Sequence, residues 1–183
     1  MPDTLVREEI HHRQIDLRFY NRSDGLYEVV GQLLDTKSLP FRRQLATEDT
    51  QAGDPLHDIR VTLVIDADMR VIDATADMVR TPFDICPGAA GALQTIKGLT
   101  IGNGWNKAVR EKLGGALSCT HIVELLGPMA TTAFQGLAPQ SIVRMNRADG
   151  LALRQKKVDS CYTYSAGREV VAQLWPDLRR EDA

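Results

Sequence analysis

The stretch that decides the fold is RVTLVI-DADMR-VIDATA, residues 60–76. Its outer segments, 60–65 and 71–76, are rich in β-branched and other apolar residues, as strands are. The five residues between them, DADMR, include three charged residues and suit a short antiparallel connection. The sequence therefore predicts a pair of antiparallel strands at this point of the chain.

A second strand pair is predicted upstream, within an N-terminal hairpin over residues 11–36. The turn signal Ser23-Asp24-Gly25 lies there between two alternating, β-prone stretches. Residues 37–56 mix proline, glycine and charge without periodicity, which is typical of a surface loop. Together the two pairs predict an antiparallel meander of about four strands.

Helical spacing begins after the second pair. Pro87 suits a first helical position, and further helices are predicted over Asn103–Leu113, over Thr120 to about Phe134 with a kink at Gly127-Pro128, and over Gly167–Leu174. Residues 138–160 are polar and weakly periodic. Strands first and helices second predict an α+β fold of one domain, residues 1–183.

Composition narrows the class of protein. The chain has 183 residues, 43% of them hydrophobic and 25% charged, so it contains enough apolar material to bury a core. Its net charge of -2 gives no positive electrostatic field that would attract nucleic acid. No apolar run approaches the roughly 20 residues of a membrane span, and no signal peptide is evident. We expect a cytoplasmic protein without membrane or nucleic-acid partners. Its three cysteines, an odd number, favour thiol chemistry or metal ligation over a disulfide framework.

The densest cluster of reactive side chains is SCTHIVE, residues 118–124. His121 and Glu124 are three residues apart, so a helix places an imidazole and a carboxylate on one face. Cys119 precedes the first turn, where the helix dipole favours thiolate. These are ligand types for zinc or iron. The competing interpretation is a buried cysteine, a capping threonine and a solvated glutamate.

Two further element boundaries carry potential ligands. His57, with Asp58 beside it, comes just before a strand, and Cys86 comes just before a helix. Either could be structural, since His57 could decorate a loop and lone cysteines are often buried. The common placement predicts a metal held by a subset of His57, Cys86, Cys119 and His121, with Glu124 or Asp58 as ligand or base.

Three other side chains are weaker candidates. Arg13 and Arg18 could anchor a substrate carboxylate or phenolate, although a solvated strand face is the simpler interpretation. Tyr162 could donate a hydrogen bond in a pocket, within CYTY (161–164), which alternates like an edge strand.

The order of these features over residues 55–136 resembles the iron–sulfur scaffold proteins of the IscU/NifU type. That resemblance implies His57 at the first cysteine position, Asp58 near the family's aspartate, Cys86 at the second cysteine, and Cys119 with His121 at the His-Cys pair. The first cysteine is here a histidine and the His-Cys order is altered. Because a [2Fe–2S] scaffold depends on thiolates, a mononuclear ion suits this set better.

The chain as a whole, from about residue 11 to 176, resembles the bacterial family labelled DUF2889. The matching features include H-x-R at 11–13, RSDG at 22–25, LHDI at 56–59, Cys86-Pro87, CTH at 119–121 with ELL at 124–126, and DSCY at 159–162. This resemblance implies an association with bacterial degradation of aromatic compounds. Residues 138–183 then form a C-terminal extension.

The leading functional hypothesis is an enzyme with one divalent ion, zinc or iron, that activates water or acts as a Lewis acid. The favoured reaction is a retro-aldol C–C cleavage that releases formaldehyde from a hydroxymethyl-bearing aromatic compound, because it needs a base and a group that stabilises negative charge. A metal-dependent hydrolase, a metal or iron–sulfur carrier and an accessory binding protein remain alternatives. The hairpin and the leucine-rich helices offer surfaces for a homodimer.

Overall fold

The computed structural model describes residues 5–180, which form two compact units. The first ends at Gly136, and the second begins at Leu137. Both contain helices, and the first also contains the sheet. The expected α+β class is confirmed.

The first unit is built on a four-stranded antiparallel sheet. The six strands of the unit are β1 (His11–Asn21), β2 (Tyr27–Lys37), β3 (Phe41–Arg42), β4 (Asp49–Thr50), β5 (Pro55–Ile65) and β6 (Val71–Arg80). The sheet order is β1-β2-β5-β6, with every neighbouring pair antiparallel, which confirms the predicted meander. The segment predicted as a plain loop contains the small β3–β4 pair. This pair was not predicted, because strands of two residues are too short to show an alternating pattern.

One face of this sheet is buried. In β2 the odd-numbered positions from Val29 to Asp35 are buried while their neighbours are half-buried. In β5 the buried positions are Ile59, Val61, Leu63 and Ile65, each 0% exposed. The period of two places these side chains on one face, which forms the core.

Helices cover that face. A 3₁₀ helix (Cys86–Ile96) is followed by α1 (Trp105–Leu113) and α2 (Thr120–Gly136), and α2 packs on β1 and β2. The helical turn at Pro87 is confirmed, although it winds as 3₁₀. Pro128 lies inside α2, where its carbonyl accepts the hydroxyls of Thr131 and Thr132. Trp105 Nε1 donates to the carbonyl of Leu126 at 3.0 Å and links α1 to α2.

Two glycines allow α2 to lie close to the sheet. A Cβ at Gly31 would stand 2.9 Å from Met129 Sδ and 3.1 Å from Leu17 Cδ2. A Cβ at Gly136 would overlap the ring of Phe19. A side chain at either position would have to displace these neighbours, so the two glycines allow the close approach of α2 to β1 and β2.

The second unit is helical. It contains α3 (Ala138–Met145), α4 (Leu151–Lys157), α5 (Glu169–Leu174) and a short 3₁₀ turn (Pro176–Leu178). The helix predicted over 167–174 is confirmed, but α3 and α4 were not predicted, because with eight and seven residues they are too short for a helical period to stand out within a polar segment. The strand predicted at 161–164 is wrong. Those residues form turns, with the Tyr164 N–H bonded to the Cys161 carbonyl at 3.1 Å.

Within residues 5–180, no helix combines the length and the apolar character that crossing a membrane requires.

Candidate metal centre

A row of three polar side chains crosses the buried face near one end of the sheet. Asp35 of β2 is the direct cross-strand partner of Arg13 on β1 and of His57 on β5. Direct partners project to the same side of an antiparallel sheet. Arg13, Asp35 and His57 are therefore neighbours on the face that α2 covers.

Asp35 is the one buried charged side chain of residues 5–180, with 1% of its surface exposed. Arg13 holds it through two parallel bonds, from Nε to Oδ1 and from Nη2 to Oδ2, each 2.7 Å long. Burial opposes ionisation, but the Arg13 guanidinium, assisted by His57, outweighs it and holds the pKa of Asp35 below its usual value. The same hydrogen bonds raise the pKa of Arg13. The centre therefore contains a fixed ion pair.

His57 completes the row. Its Nδ1 lies 3.0 Å from Asp35 Oδ2, and its side chain is 12% exposed. Burial lowers the pKa of His57, and the opposing attraction of Asp35 does not compensate. The His57 Nε2 atom forms no hydrogen bond with any of the described residues. His57 is thus a neutral imidazole near pH 7 with one ring nitrogen held and the other unengaged.

The first turn of α2 adds a second imidazole. The rings of His121 and His57 have centroids 3.9 Å apart and are tilted by 39°. His121 Nε2 lies 3.9 Å from Asp35 Oδ2. One donor atom from each of Asp35, His57 and His121 falls within 4.8 Å of the others, and no other such group of histidine, cysteine or acidic residues occurs in residues 5–180.

Cys119 lies on the other side of His121. Its Sγ is 3.6 Å from His121 Nδ1. This hydrogen bond, opposed by burial and assisted by the backbone N–H groups of Ile122 and His121, lowers the pKa of the Cys119 thiol. The sequence-based expectation of a thiolate at this helix start agrees with that direction.

Glu124 borders the centre. Its Oε2 accepts a 2.7 Å bond from Arg13 Nη1, and 41% of its side chain is exposed. Arg13 therefore bridges the buried Asp35 and a carboxylate that solvent can reach. Of the residues predicted from sequence, Arg13, His57, Cys119, His121 and Glu124 come together here.

Four other predicted residues lie elsewhere. Asp58 follows His57 on β5 and so projects from the opposite face, where Gln32 Nε2 bonds it at 2.7 Å. Arg18 also lies on that face, paired with Asp16. Cys86 begins the 3₁₀ helix and is not part of the close donor group. Tyr162 belongs to the second unit, where the Arg168 guanidinium lies 3.5 Å from its ring centre.

Two members of the centre were not predicted as site residues. They are Asp35, and His11, whose Nε2 lies 3.4 Å from Asp35 Oδ1. A signal for Asp35 was present, because it continues the apolar positions Val29 and Leu33 at a spacing of two. A charged residue on the core face of a strand needs a partner, and the hairpin register supplies Arg13.

The donor set fits a metal of borderline softness. Imidazole, carboxylate and thiolate are the ligands of zinc, and imidazole with carboxylate also suits non-haem iron. Two imidazoles with unengaged Nε2 atoms stand at the centre, and Asp35 and Cys119 lie beside their Nδ1 atoms. The types of donor atom and their mutual distances, all within 4.8 Å for Asp35, His57 and His121, fit those of a divalent metal site.

Fold and centre together define an α+β protein with a buried Asp/His/His cluster between a four-stranded sheet and one helix. The chain belongs to the family described as "Protein of unknown function (DUF2889)", which matches residues 11–135. The matched segment includes Arg13, Asp35, His57 and His121. No curated protein and no solved structure matches the chain. The resemblance to IscU/NifU-type scaffolds is therefore not confirmed.

Proposed function

We propose that this chain is a metal-dependent enzyme that binds one divalent ion, zinc or iron, through His57 and His121. The observation that carries the proposal is the close pair of imidazoles beside the buried Asp35 carboxylate, with ring centroids 3.9 Å apart. Each ring has its Nδ1 near another group and its Nε2 without a hydrogen-bond partner among residues 5–180. Such a pair is suited to ligation through Nε2.

A catalytic rather than a structural ion is the better fit. Structural zinc sites use four protein ligands, whereas catalytic sites keep a position open for water or substrate. Here each imidazole is held at Nδ1, His57 by Asp35 and His121 by Cys119, and only the two Nε2 atoms remain to bind an ion. The exposed Glu124 at the border provides a proton acceptor beside the open side of the centre.

For the reaction we propose a lyase of the retro-aldol type. In such a cleavage the base removes the hydroxyl proton of a hydroxymethyl group, and the C–O bond of that group becomes the carbonyl of formaldehyde. The electrons of the broken C–C bond pass to the carbon left on the aromatic fragment, and this carbon then takes the proton back from the base. Glu124 can accept the alcohol proton, since Asp58 projects from the other face of the sheet. A bound ion would stabilise the negative charge that develops.

For the substrate we propose an aromatic catabolic intermediate, which is the class that the sequence resemblance implies. The Arg13 guanidinium contributes to the centre by holding Glu124 and Asp35 in place through bonds of 2.7 Å. A metal-dependent hydrolase would use the same groups. Release of formaldehyde, measured with hydroxymethyl-bearing aromatic compounds, separates the lyase from the hydrolase.

Metal content tests the proposed site. We expect the purified protein to contain close to one equivalent of zinc or iron, and His57→Ala and His121→Ala to contain only traces. His12→Ala is the matched control, because His12 precedes Arg13 on β1 and so projects from the opposite face. It should keep the metal.

Only trace metal in the wild-type protein would contradict the proposal, as would full retention in either variant. Stoichiometric sulfide with charge-transfer absorption would instead identify an iron–sulfur carrier. If His121→Ala loses stability with unchanged metal content, the cluster is the polar core of a binding protein.

The role of Glu124 is tested by Glu124→Gln, which keeps the shape and the oxygen that accepts from Arg13. We expect formaldehyde release to fall by about 100-fold, the lower end of the usual contribution of a general base. Asp58→Asn, on the other face of the sheet, should leave the rate within about two-fold. Equal rates for the two variants would exclude Glu124 as the base.

A further inference from the structure

We propose that Asp35 is a positioning residue for His57 and not a metal ligand. Its carboxylate fixes the neutral imidazole with the proton on Nδ1 and the lone pair on Nε2. This inference deepens the proposed function, because Nε2 is the atom through which His57 would bind the ion. It assigns separate tasks to the three members of the Asp35, His57 and His121 cluster.

The oxygens of Asp35 are already engaged. Oδ1 accepts from Arg13 Nε at 2.7 Å, and Oδ2 lies 2.7 Å from Arg13 Nη2 and 3.0 Å from His57 Nδ1. A divalent ion on either oxygen would stand beside a guanidinium that is always charged, which is unfavourable at that distance. The carboxylate is therefore already paired with the Arg13 guanidinium in the metal-free protein.

The contact with Asp35 also determines the His57 tautomer. A carboxylate only accepts hydrogen bonds, so the nitrogen that faces it must carry the proton. A neutral imidazole has one N–H, and placing it on Nδ1 leaves the lone pair on Nε2. Ligating histidines commonly donate their other N–H to a carboxylate, which orients the ring and raises its basicity.

The sheet makes this orientation rigid. Arg13, Asp35 and His57 are direct partners across three hydrogen-bonded strands, so their spacing is set by the backbone ladder. Arg13 clamps both carboxylate oxygens in one plane, and Asp35 is 1% exposed. Two further imidazole nitrogens border the carboxylate, His11 Nε2 at 3.4 Å from Oδ1 and His121 Nε2 at 3.9 Å from Oδ2, so cationic or hydrogen-donating groups surround it.

Nitrogen-15 NMR of the metal-free protein tests the inference directly. After chelation, long-range ring correlations should show His57 as the Nδ1–H tautomer. His57 as the Nε2–H tautomer would overturn the proposal. This measurement needs no variant and no bound metal, so it stays decisive even if the metal proposal fails. A chain that takes up no Zn²⁺ contradicts the proposed function and leaves the tautomer result standing.

The variant Asp35→Asn separates positioning from ligation. We expect His57 to lose its single tautomer and the affinity for added Zn²⁺ to fall by about 10- to 100-fold, the usual effect of losing an outer-shell partner. His57→Ala should abolish Zn²⁺ binding, and Asp58→Asn should change neither quantity. If Asp35→Asn abolishes Zn²⁺ binding while the His57 tautomer is unchanged, Asp35 is a ligand and the inference is wrong.

Discussion

Replacing Arg13 by methionine is expected to lower the free energy of unfolding by about 3 kcal/mol at pH 7, because it leaves the buried Asp35 carboxylate without its cationic partner. Asp35 is 1% exposed and receives two 2.7 Å bonds from this one side chain. Methionine keeps much of the apolar stem of arginine and removes the charge and the donors. The loss lies at the lower end of the usual range because Arg13 is itself 33% exposed.

The same variant should change how stability depends on pH. The folded pKa of Asp35 lies below its usual value, so in the wild type its ionised form contributes stability above the unfolded-state pKa of about 3.9, and that contribution is lost as the pH falls through the folded pKa. Without Arg13, burial raises the pKa above that of the unfolded chain. The difference in unfolding free energy between wild type and Arg13→Met should therefore narrow from pH 7 to pH 4.

Arg18→Met is the matched control for this experiment. Arg18 lies on the same strand and donates a bond of equal length, 2.7 Å, to Asp16, but both side chains are exposed. Exposed pairs contribute less than about 1 kcal/mol. Urea denaturation of the three proteins at several pH values supplies the comparison. Equal losses of unfolding free energy for Arg13→Met and Arg18→Met would show that Arg13 does not stabilise the ionised Asp35. A difference between wild type and Arg13→Met that stays the same at every pH would show this too.

The sheet and the helices that cover it were predictable because their signals are local. The pair 60–76 and the turn at Ser23-Asp24-Gly25 carry alternation and turn chemistry within the elements themselves. The helices α3 and α4 have only eight and seven residues, which is too short a stretch for the helical period of 3.6 residues to be recognised.

The candidate site was predictable only in part, because it is assembled from separate elements. One helix start carries Cys119, His121 and Glu124, and the regular geometry of a helix converts their separation in sequence directly into proximity in space. Asp35 meets His57 through strand pairing across 22 residues, and that contact requires the register. Asp58 shows that neighbours in sequence can also be separated. Its neighbour His57 lies in the centre, but successive residues of a strand point to opposite faces, so Asp58 lies on the other face of the sheet.

The geometry of the centre also depends on a residue that carries no chemistry. Gly31 pairs with Leu17 on β1 and with Val61 on β5, directly beneath Met129 of α2. His121 and Met129 lie on the same helix, eight residues apart, and so move together. Any group that raises α2 at Gly31 therefore draws His121 away from His57 and Asp35.

Gly31→Val is accordingly expected to lower the free energy of unfolding by about 3 kcal/mol, the upper end of the usual range for overpacking a core. A Cβ alone would stand 2.9 Å from Met129 Sδ and 3.1 Å from Leu17 Cδ2, and valine adds two further methyl groups. Met129 is 0% exposed, so its side chain has little free space to move into, whereas Leu17 is half-buried. The strain should be relieved by displacement of α2.

Gly102→Val provides the control, since a Cβ at Gly102 meets no atom within 4 Å. Its unfolding free energy should change by no more than about 0.5 kcal/mol. In the metal-free proteins, Gly31→Val should also shift the ring proton resonances of His57, because the His121 ring, whose centroid lies 3.9 Å from that of His57 in the wild type, moves away. A destabilised Gly31→Val variant with unchanged His57 resonances would show that the two histidines are held together independently of the height of α2.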